Sequence, residues 1–278
     1  MRACVLGANG QLGRALTAAR PDAVALGRDG LDIGDAAAVE RHDFSGVDVV
    51  FNAAAHTAVD RAETEPAAAW RVNALGPAHL AAAADRYGFT LVHVSTEYVF
   101  DGTAAGPMGE DTPLAPLGVY GASKAAGELA VRAAPRHLVA RTSWVVGDGG
   151  NFVATMTRLA RDGVSPAVVD DQVGRPTFAP DLAAALVALA GRGTTGTVHV
   201  TGDGDPVSWC GLAREVFARC GRDPADVRAV STAEYTVDKP HLARRPANSV
   251  LDLTLLASTG VVMPSWKDSL DVHMGASA

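Results

Sequence analysis

Tyr120 and Lys124 close the run Tyr-Gly-Ala-Ser-Lys. On a helix this i, i+4 spacing puts a phenol and an ammonium on one face, about one turn apart. A nearby ammonium stabilises a phenolate and lowers the phenol's pKa. That suits the tyrosine to give or take a proton near neutral pH. Upstream, Ser95-Thr96 ends an apolar run that reads as a strand. The Thr96 hydroxyl could hydrogen-bond a carbonyl oxygen while Tyr120 supplies its proton. Gly7, Gly10 and Gly13 follow the first apolar run and open a helical pattern. Glycines there let the backbone turn tightly against a pyrophosphate, whose charge meets the helix N-terminus. With a nicotinamide-type cofactor in that turn, Thr96, Tyr120 and Lys124 predict carbonyl reduction or alcohol oxidation.

The elements that must position these groups are short apolar strands alternating with helices. Strands are expected at Cys4 to Leu6, Ala23 to Leu26, Val47 to Phe51, Leu91 to Val94 and Leu138 to Ala140. Alanine-rich stretches from Glu65 to Arg86 and from Val119 to Ala133 favour helix between them. The alternation predicts βαβ units and an α/β, doubly wound parallel sheet. After residue 142 the pattern loosens into polar loops with glycine and proline. Residues 1–145 are therefore read as a dinucleotide-binding domain carrying the chemistry. Residues 146–278 are read as mostly a smaller substrate lobe, with some segments returning to the sheet. The strands at Leu138 and near Val168 are both expected in the main sheet.

The cofactor site can be followed further along the chain. Asn9, Gln11 and Leu12 sit inside the glycine turn, whose spacing is GxxGxxG rather than GxGxxG. Gly27-Arg28-Asp29 follows the second strand. An acid at that strand end normally grips the ribose 2′-hydroxyl of NAD. Gly27 takes the place here, and the Arg28 guanidinium suits a 2′-phosphate. NADPH is thus expected ahead of NADH, unless Asp29 does the gripping. Asp32 and Ile33 are placed to line an adenine pocket. Ala53, Ala54, Ala55 and His56 follow the third strand, where small residues let a cofactor pass closely. His56 reads either as a base or as a loop histidine touching cofactor or backbone.

Composition narrows the function classes. The 278-residue chain carries a formal net charge of -7 and no basic run, which argues against a nucleic-acid surface. Its three cysteines, with no CxxC, indicate neither a disulfide framework nor a zinc site. No charged-then-apolar leader precedes the first strand, and Leu182 to Ala190 is too short to span a bilayer. A cytoplasmic enzyme, with no membrane partner, is expected.

Taken together these segments resemble the extended short-chain dehydrogenase/reductases and, among them, the dTDP-4-dehydrorhamnose reductase family. The resemblance runs through nearly the whole chain. It is carried by Gly7 to Gly13, Asn52 to Glu63, Ser95-Thr96 with Tyr98 to Phe100, and Val119 to Gly121 with Lys124. Further matches are Arg141 to Val145, Asn151-Phe152, Asp171-Gln172, Gly174 to Thr177, Arg245-Pro246 and Asn248-Ser249. It implies a Rossmann-type fold and NAD(P)H-dependent reduction of the 4-keto group of a dTDP-linked 6-deoxyhexose. In that family pattern Tyr120 protonates the forming alkoxide, Lys124 anchors the nicotinamide ribose, and Thr96 polarises the carbonyl. Trp144 would pack on the sugar or nucleotide, and Asn151, Arg175 and Arg245 would join the substrate site. Arg244 and Lys239 are further candidates for the diphosphate. Some relatives dimerise around Mg2+, so a homodimer is considered, although no residue here marks a metal site.

Glu97 departs from the family, which usually has Asp after the threonine. The extra methylene could move a carboxylate beside the substrate by more than about 1 Å. A related 4-keto sugar nucleotide, serving deoxysugar biosynthesis for natural products, is therefore a second reading. A dehydratase or epimerase is a third, weakened because only Glu97 stands where such enzymes carry two carboxylates. A non-catalytic NADP-binding regulatory subunit, like that of methionine adenosyltransferase, is a fourth, opposed by the intact Thr96, Tyr120 and Lys124.

Overall fold

In the computed structural model, which describes residues 1–275, six parallel strands form the central sheet. Their spatial order is Gly196–His199, His137–Thr142, Thr90–Thr96, Val49–Asn52, Ala3–Leu6 and Val24–Leu26. The chain builds outward from Ala3–Leu6 to one side, then crosses to the other at Val49–Asn52. The crevice beyond these two strand ends is the topological switch point where open α/β sheets bind ligands.

Each central strand is covered on both faces, so its residues are apolar in runs rather than in alternation. The pleat sends alternate residues to different cores. Val5, Phe51, Val92 and Leu138 face Leu12 and Leu16 of helix Gln11–Ala19 and Leu182 and Leu186 of helix Ala179–Gly191. Cys4, Val50, Leu91 and Val139 face Leu80, Ala84 and Val131 of helices Gly76–Tyr87 and Val119–Val131. Burial pushes the Cys4 thiol up to about 11, as expected of an inert core cysteine.

The alanine-rich stretch before Arg86 is helical but not one helix. Pro66–Trp70 and Gly76–Tyr87 are joined by a π-turn at Arg71–Leu75. Such bulges recur at functional sites, and this one carries Asn73 toward the Tyr120 helix.

The strand near Val168 lies elsewhere than expected. Ala167–Val169 pairs with Arg228–Val230 in a separate two-stranded parallel sheet, and Gly196–His199 takes the sixth place in the main one. Val168 instead packs in a third core with Phe217 and Trp266. A short β-branched run reads the same whichever sheet receives it. The expected lobe ran to residue 278, and its last three residues lie outside the described chain. No helix among the described residues is long and apolar enough to cross a membrane.

Candidate active site

The first strand ends in Gly7, which has φ 75 and lies against the backbone of Ala54. A Cβ at Gly7 would come within 2.6 Å of the Ala54 nitrogen, so only glycine lets the two strand ends meet there. Helix Gln11–Ala19 then presents its N-terminus over the crevice, with Gly10 as an N-cap that adds no side-chain hydrogen bond. Asn9 is exposed, and its amide lies across Gly27. Gln11 faces another way: its Oε1 accepts from the Gly147 amide at 2.6 Å. Leu12 is buried in the core. Gln11 and Leu12 therefore shape the turn rather than offer side chains to a ligand.

At the second strand's end, Arg28 is 75% exposed and its Nε lies 3.4 Å from Asp32. Asp32 also accepts from Arg71 at 3.0 Å and from the Gly34 amide at 2.9 Å. Burial raises the Asp32 carboxyl pKa, but Arg71, Gly34 and Arg28 outweigh it, so the net shift is downward. Ile33 is buried and packs on Gly76, so its side chain belongs to the core rather than to an open adenine pocket. Ala53, Ala54 and Ala55 are half-buried along the third strand's exit. His56 is held through its backbone: its amide donates to Asn73 Oδ1 at 2.8 Å, and its carbonyl accepts from Asn73 Nδ2 at 3.0 Å. Both its ring nitrogens are buried without a hydrogen-bond partner.

Thr96 ends the fourth strand, and Tyr120 begins helix Val119–Val131. Gly118 gives that helix no side-chain cap. Glu63 supplies one from a distant segment, accepting from the Val119 amide at 2.8 Å. Gly121 lets the helix sit on Tyr98, since a Cβ there would lie 2.1 Å from the Tyr98 carbonyl oxygen. The Tyr98 and Tyr120 rings meet edge to face at 5.4 Å. Asn73 donates to Ser123 Oγ at 3.1 Å, and Ser123 donates to the Tyr120 carbonyl at 2.8 Å. The π-turn thus steadies the first turn of the helix that carries Tyr120.

Glu97 is buried, 2% exposed, and its Oε2 accepts from the Thr96 hydroxyl at 2.7 Å. Its Oε1 takes no hydrogen bond. Burial pushes this carboxyl up to about 7, against the opposing pull of Thr96 and its own backbone and then of Ser249. Tyr120 is pushed above the ordinary phenol range by burial and then by Glu97, while the Thr96 hydroxyl pulls it back. The expected lowering by Lys124 is not among these influences, which corrects the sequence expectation. Lys124 turns to the fourth strand instead, donating to the Val94 carbonyl at 2.6 Å and lying 3.3 Å from His93 Nε2. An i, i+4 spacing shares a helix face, but the lysine amino group finds a closer acceptor in the strand below.

Beside this buried group opens a cavity of about 790 Å³. Asp60, Phe152, Trp209, Tyr235, Lys239, Arg244 and Arg245 are among its walls. Arg245 holds Asp60 in a fork, at 2.9 Å and 3.0 Å. Both residues act on the Tyr98 phenol, whose ring packs on Tyr120. Trp144 does not line the cavity. It stacks on Trp209, with ring centroids 3.6 Å apart, and its backbone is held at φ 46. Positive φ at a tryptophan is strained and calls for compensation. Here the stack and the hydrogen bond from the Thr177 amide to the Trp144 carbonyl supply it.

Two expected substrate residues have other work. Asn151 caps helix Phe152–Arg161 through the Ala154 amide and donates to the Gly147 carbonyl. Arg175 donates to the carbonyls of Gly204 and Leu251, away from the cavity. Asn248 likewise satisfies backbone at Ala104, Gly106 and Val250. The sequence reading missed Trp209, Tyr235 and Asp60 as cavity walls. Asp60 and Tyr98 both lay inside matched segments. Trp209 and Tyr235 carried no spacing signal. Among the described residues no group of three or more His, Cys, Asp or Glu is placed to hold a metal ion.

A family model described as the RmlD substrate binding domain matches residues 1–276. A dTDP-4-dehydrorhamnose reductase of Mycobacterium tuberculosis is 47% identical, over 100% of this chain and 93% of its own length. The crystal structure of a dTDP-4-dehydrorhamnose reductase from Clostridium acetobutylicum superposes with a TM-score of 0.92 at 37% identity, covering 99% of both chains. One from Bacillus anthracis, in complex with NADP, gives 0.89 at 34% identity and covers 97% of both. The pairing of Thr96 and Tyr120 beside Glu97, the glycine crevice and these full-length matches agree, and the chain belongs to the RmlD substrate binding domain family.

Proposed function

We propose that this protein reduces the 4-keto group of dTDP-4-dehydrorhamnose to give dTDP-L-rhamnose, with NADPH preferred over NADH. The single observation that carries the reading is the cluster of Thr96, Tyr98 and Tyr120, with Tyr120 edge to face on a Tyr98 phenol that feels the Asp60–Arg245 pair of the cavity wall. The residues present fit a dinucleotide. Gly7 holds two strand ends in contact, a helix N-terminus faces the crevice, and His56 leaves two buried ring nitrogens unpartnered. Arg28 is free enough to meet a 2′-phosphate. On this reading residues 1–145 carry cofactor and chemistry. Residues after 145 supply most of the sugar-nucleotide site, Asp60 excepted.

A nicotinamide held at the Gly7 crevice would supply the hydride for the carbonyl carbon. Tyr120, held neutral by burial, keeps its proton on the phenol oxygen until a stronger base, the forming alkoxide, takes it. The Thr96 hydroxyl, which rests on Glu97 Oε2, turns its one proton to the carbonyl oxygen when the substrate is in place. Arg244, Arg245 and Lys239 meet the diphosphate, since guanidinium forks match phosphate oxygens. Trp209, braced by Trp144, offers an apolar ring face to the sugar or base. The test is to mix the protein with enzymatically made dTDP-4-dehydro-6-deoxy-L-mannose and follow NADPH absorbance, identifying the sugar formed. Loss of absorbance with dTDP-L-rhamnose as product is expected; no oxidation with this or a related keto sugar would overturn the assignment.

A further inference from the structure

A chain of buried hydrogen bonds ends on Lys124, and the direction of each bond can be deduced from its start. The Ala54 amide can only donate, and it donates to Asn52 Oδ1 at 3.2 Å. The other end of that side chain, Nδ2, therefore faces His93 Nδ1 at 3.0 Å and must donate to it. Nδ1 is then an acceptor. Burial holds His93 neutral, its ring being fully enclosed, and a neutral imidazole carries one proton, so that proton sits on Nε2. His93 Nε2 lies 3.3 Å from Lys124 Nζ. A donor pointed at that distance needs a lone pair. An ammonium has none, whereas an amine has one.

Both ends of this chain are closed to solvent. Asn52, His93 and Lys124 are all buried, so water cannot relieve a donor facing a donor. The remaining surroundings of Nζ favour charge, but burial outweighs them. Val94 offers one carbonyl, at 2.6 Å. The charged group that acts on Lys124 is Glu128, one turn along its own helix, and Glu128 is already forked to Arg141 of the fifth strand at 2.8–3.2 Å. Asn73 and Ser123 near the helix start are uncharged, and Tyr120 is a neutral phenol.

We propose that His93 is a positioning residue that holds Lys124 as a neutral amine at rest, and that Lys124 takes up a proton when the dinucleotide binds. The dinucleotide is an anion and its ribose oxygens are acceptors, so its arrival favours an ammonium where the resting site disfavours one. Burial brings the resting Lys124 down to about 8. Above that pH the resting lysine is mostly uncharged, and it takes its charge as the cofactor is taken in.

The inference uses the reductase reading only in taking NADPH as the ligand. Calorimetric titration of NADPH near pH 8.5, in two buffers of different ionisation enthalpy, measures the protons taken up on binding. The wild type should take up roughly 0.7 proton per site there. His93→Gln can turn an amide oxygen toward an ammonium, so its uptake should fall below about 0.2. NADPH binding without proton uptake by the wild type, or with equal uptake in both proteins, would overturn the proposal. Failure of NADPH to bind at all would count against the reductase reading. In that event, or if the variant does not fold, 15N NMR of histidine-labelled wild type decides directly. His93 should show the proton on Nε2; a proton on Nδ1, or a charged ring, would refute the assignment.

Discussion

The buried centre and the open cavity handle charge in opposite ways. Around Tyr120, charge is removed: Glu97 is raised to about 7, Lys124 is lowered to about 8, and Tyr120 is held as a phenol. In the cavity, charge is kept: Arg245 and Asp60 form a fork, and Arg244 and Lys239 stand at the walls. Both regions are built on the same chain, and the Tyr98 phenol feels both Glu97 on one side and the Arg245–Asp60 pair on the other. The difference shows a division of work. The dry side stores protons near the pH at which they must move, and the wet side holds permanent charge for an anionic ligand.

The largest blow to the dry side is loss of its proton donor. Tyr120→Phe should lower kcat by about a thousandfold while leaving NADPH affinity within about threefold. Steady-state kinetics beside a binding titration checks this; near-normal turnover would remove Tyr120 from its role.

Glu97→Gln sharpens the same region through stability. The Glu97 carboxyl is raised from 4.5 to about 7 in the fold. Below pH 4.5 both folded and unfolded chains hold this proton. Between 4.5 and about 7 only the folded chain does, so its stability falls as pH rises and stays level above. Glu97→Gln should therefore stabilise the protein by about 3 kcal/mol at pH 8 and hardly at all at pH 4. Urea unfolding at the two pH values measures this, and equal effects at both would disprove the buried-acid account.

On the wet side, Arg245→Ala should raise KM for the sugar nucleotide by roughly tenfold or more with a smaller change in kcat. A fall in kcat alone would move Arg245 into the chemical step and blur the comparison. The smallest effect is expected at Arg28, exposed and loosely paired with Asp32. Arg28→Ala should weaken NADPH by about fivefold more than NADH; equal losses would rule out the 2′-phosphate contact.

Much of the dry side could be read from the chain. Gly7, Thr96, Tyr120 and the strand ends follow periodic patterns, because a parallel sheet with both faces covered forces apolar runs and tight turns at its edge. The orientation of Lys124 could not be read, since spacing fixes a helix face but not which acceptor lies beneath it. Nor did sequence reveal the Asn52–His93 chain, which joins the third and fourth strands through side chains 41 residues apart. The wet side was harder. Arg245 was found, but Arg175 and Asn151 were equally polar, equally loop-borne and engaged by backbone groups. A side chain's partner in a loop depends on tertiary contacts that no local period encodes.

The central claim is hydride delivery to the sugar carbonyl with Tyr120 as the proton source. The direct measurement is a reaction with NADPH carrying deuterium at the transferable position of nicotinamide C4, followed by NMR and mass analysis of the sugar. The account predicts deuterium at C4 of dTDP-L-rhamnose made by the wild type, and almost none in equal time with Tyr120→Phe. Unlabelled product, or no product from any 4-keto sugar nucleotide while NADPH binds normally, would contradict it.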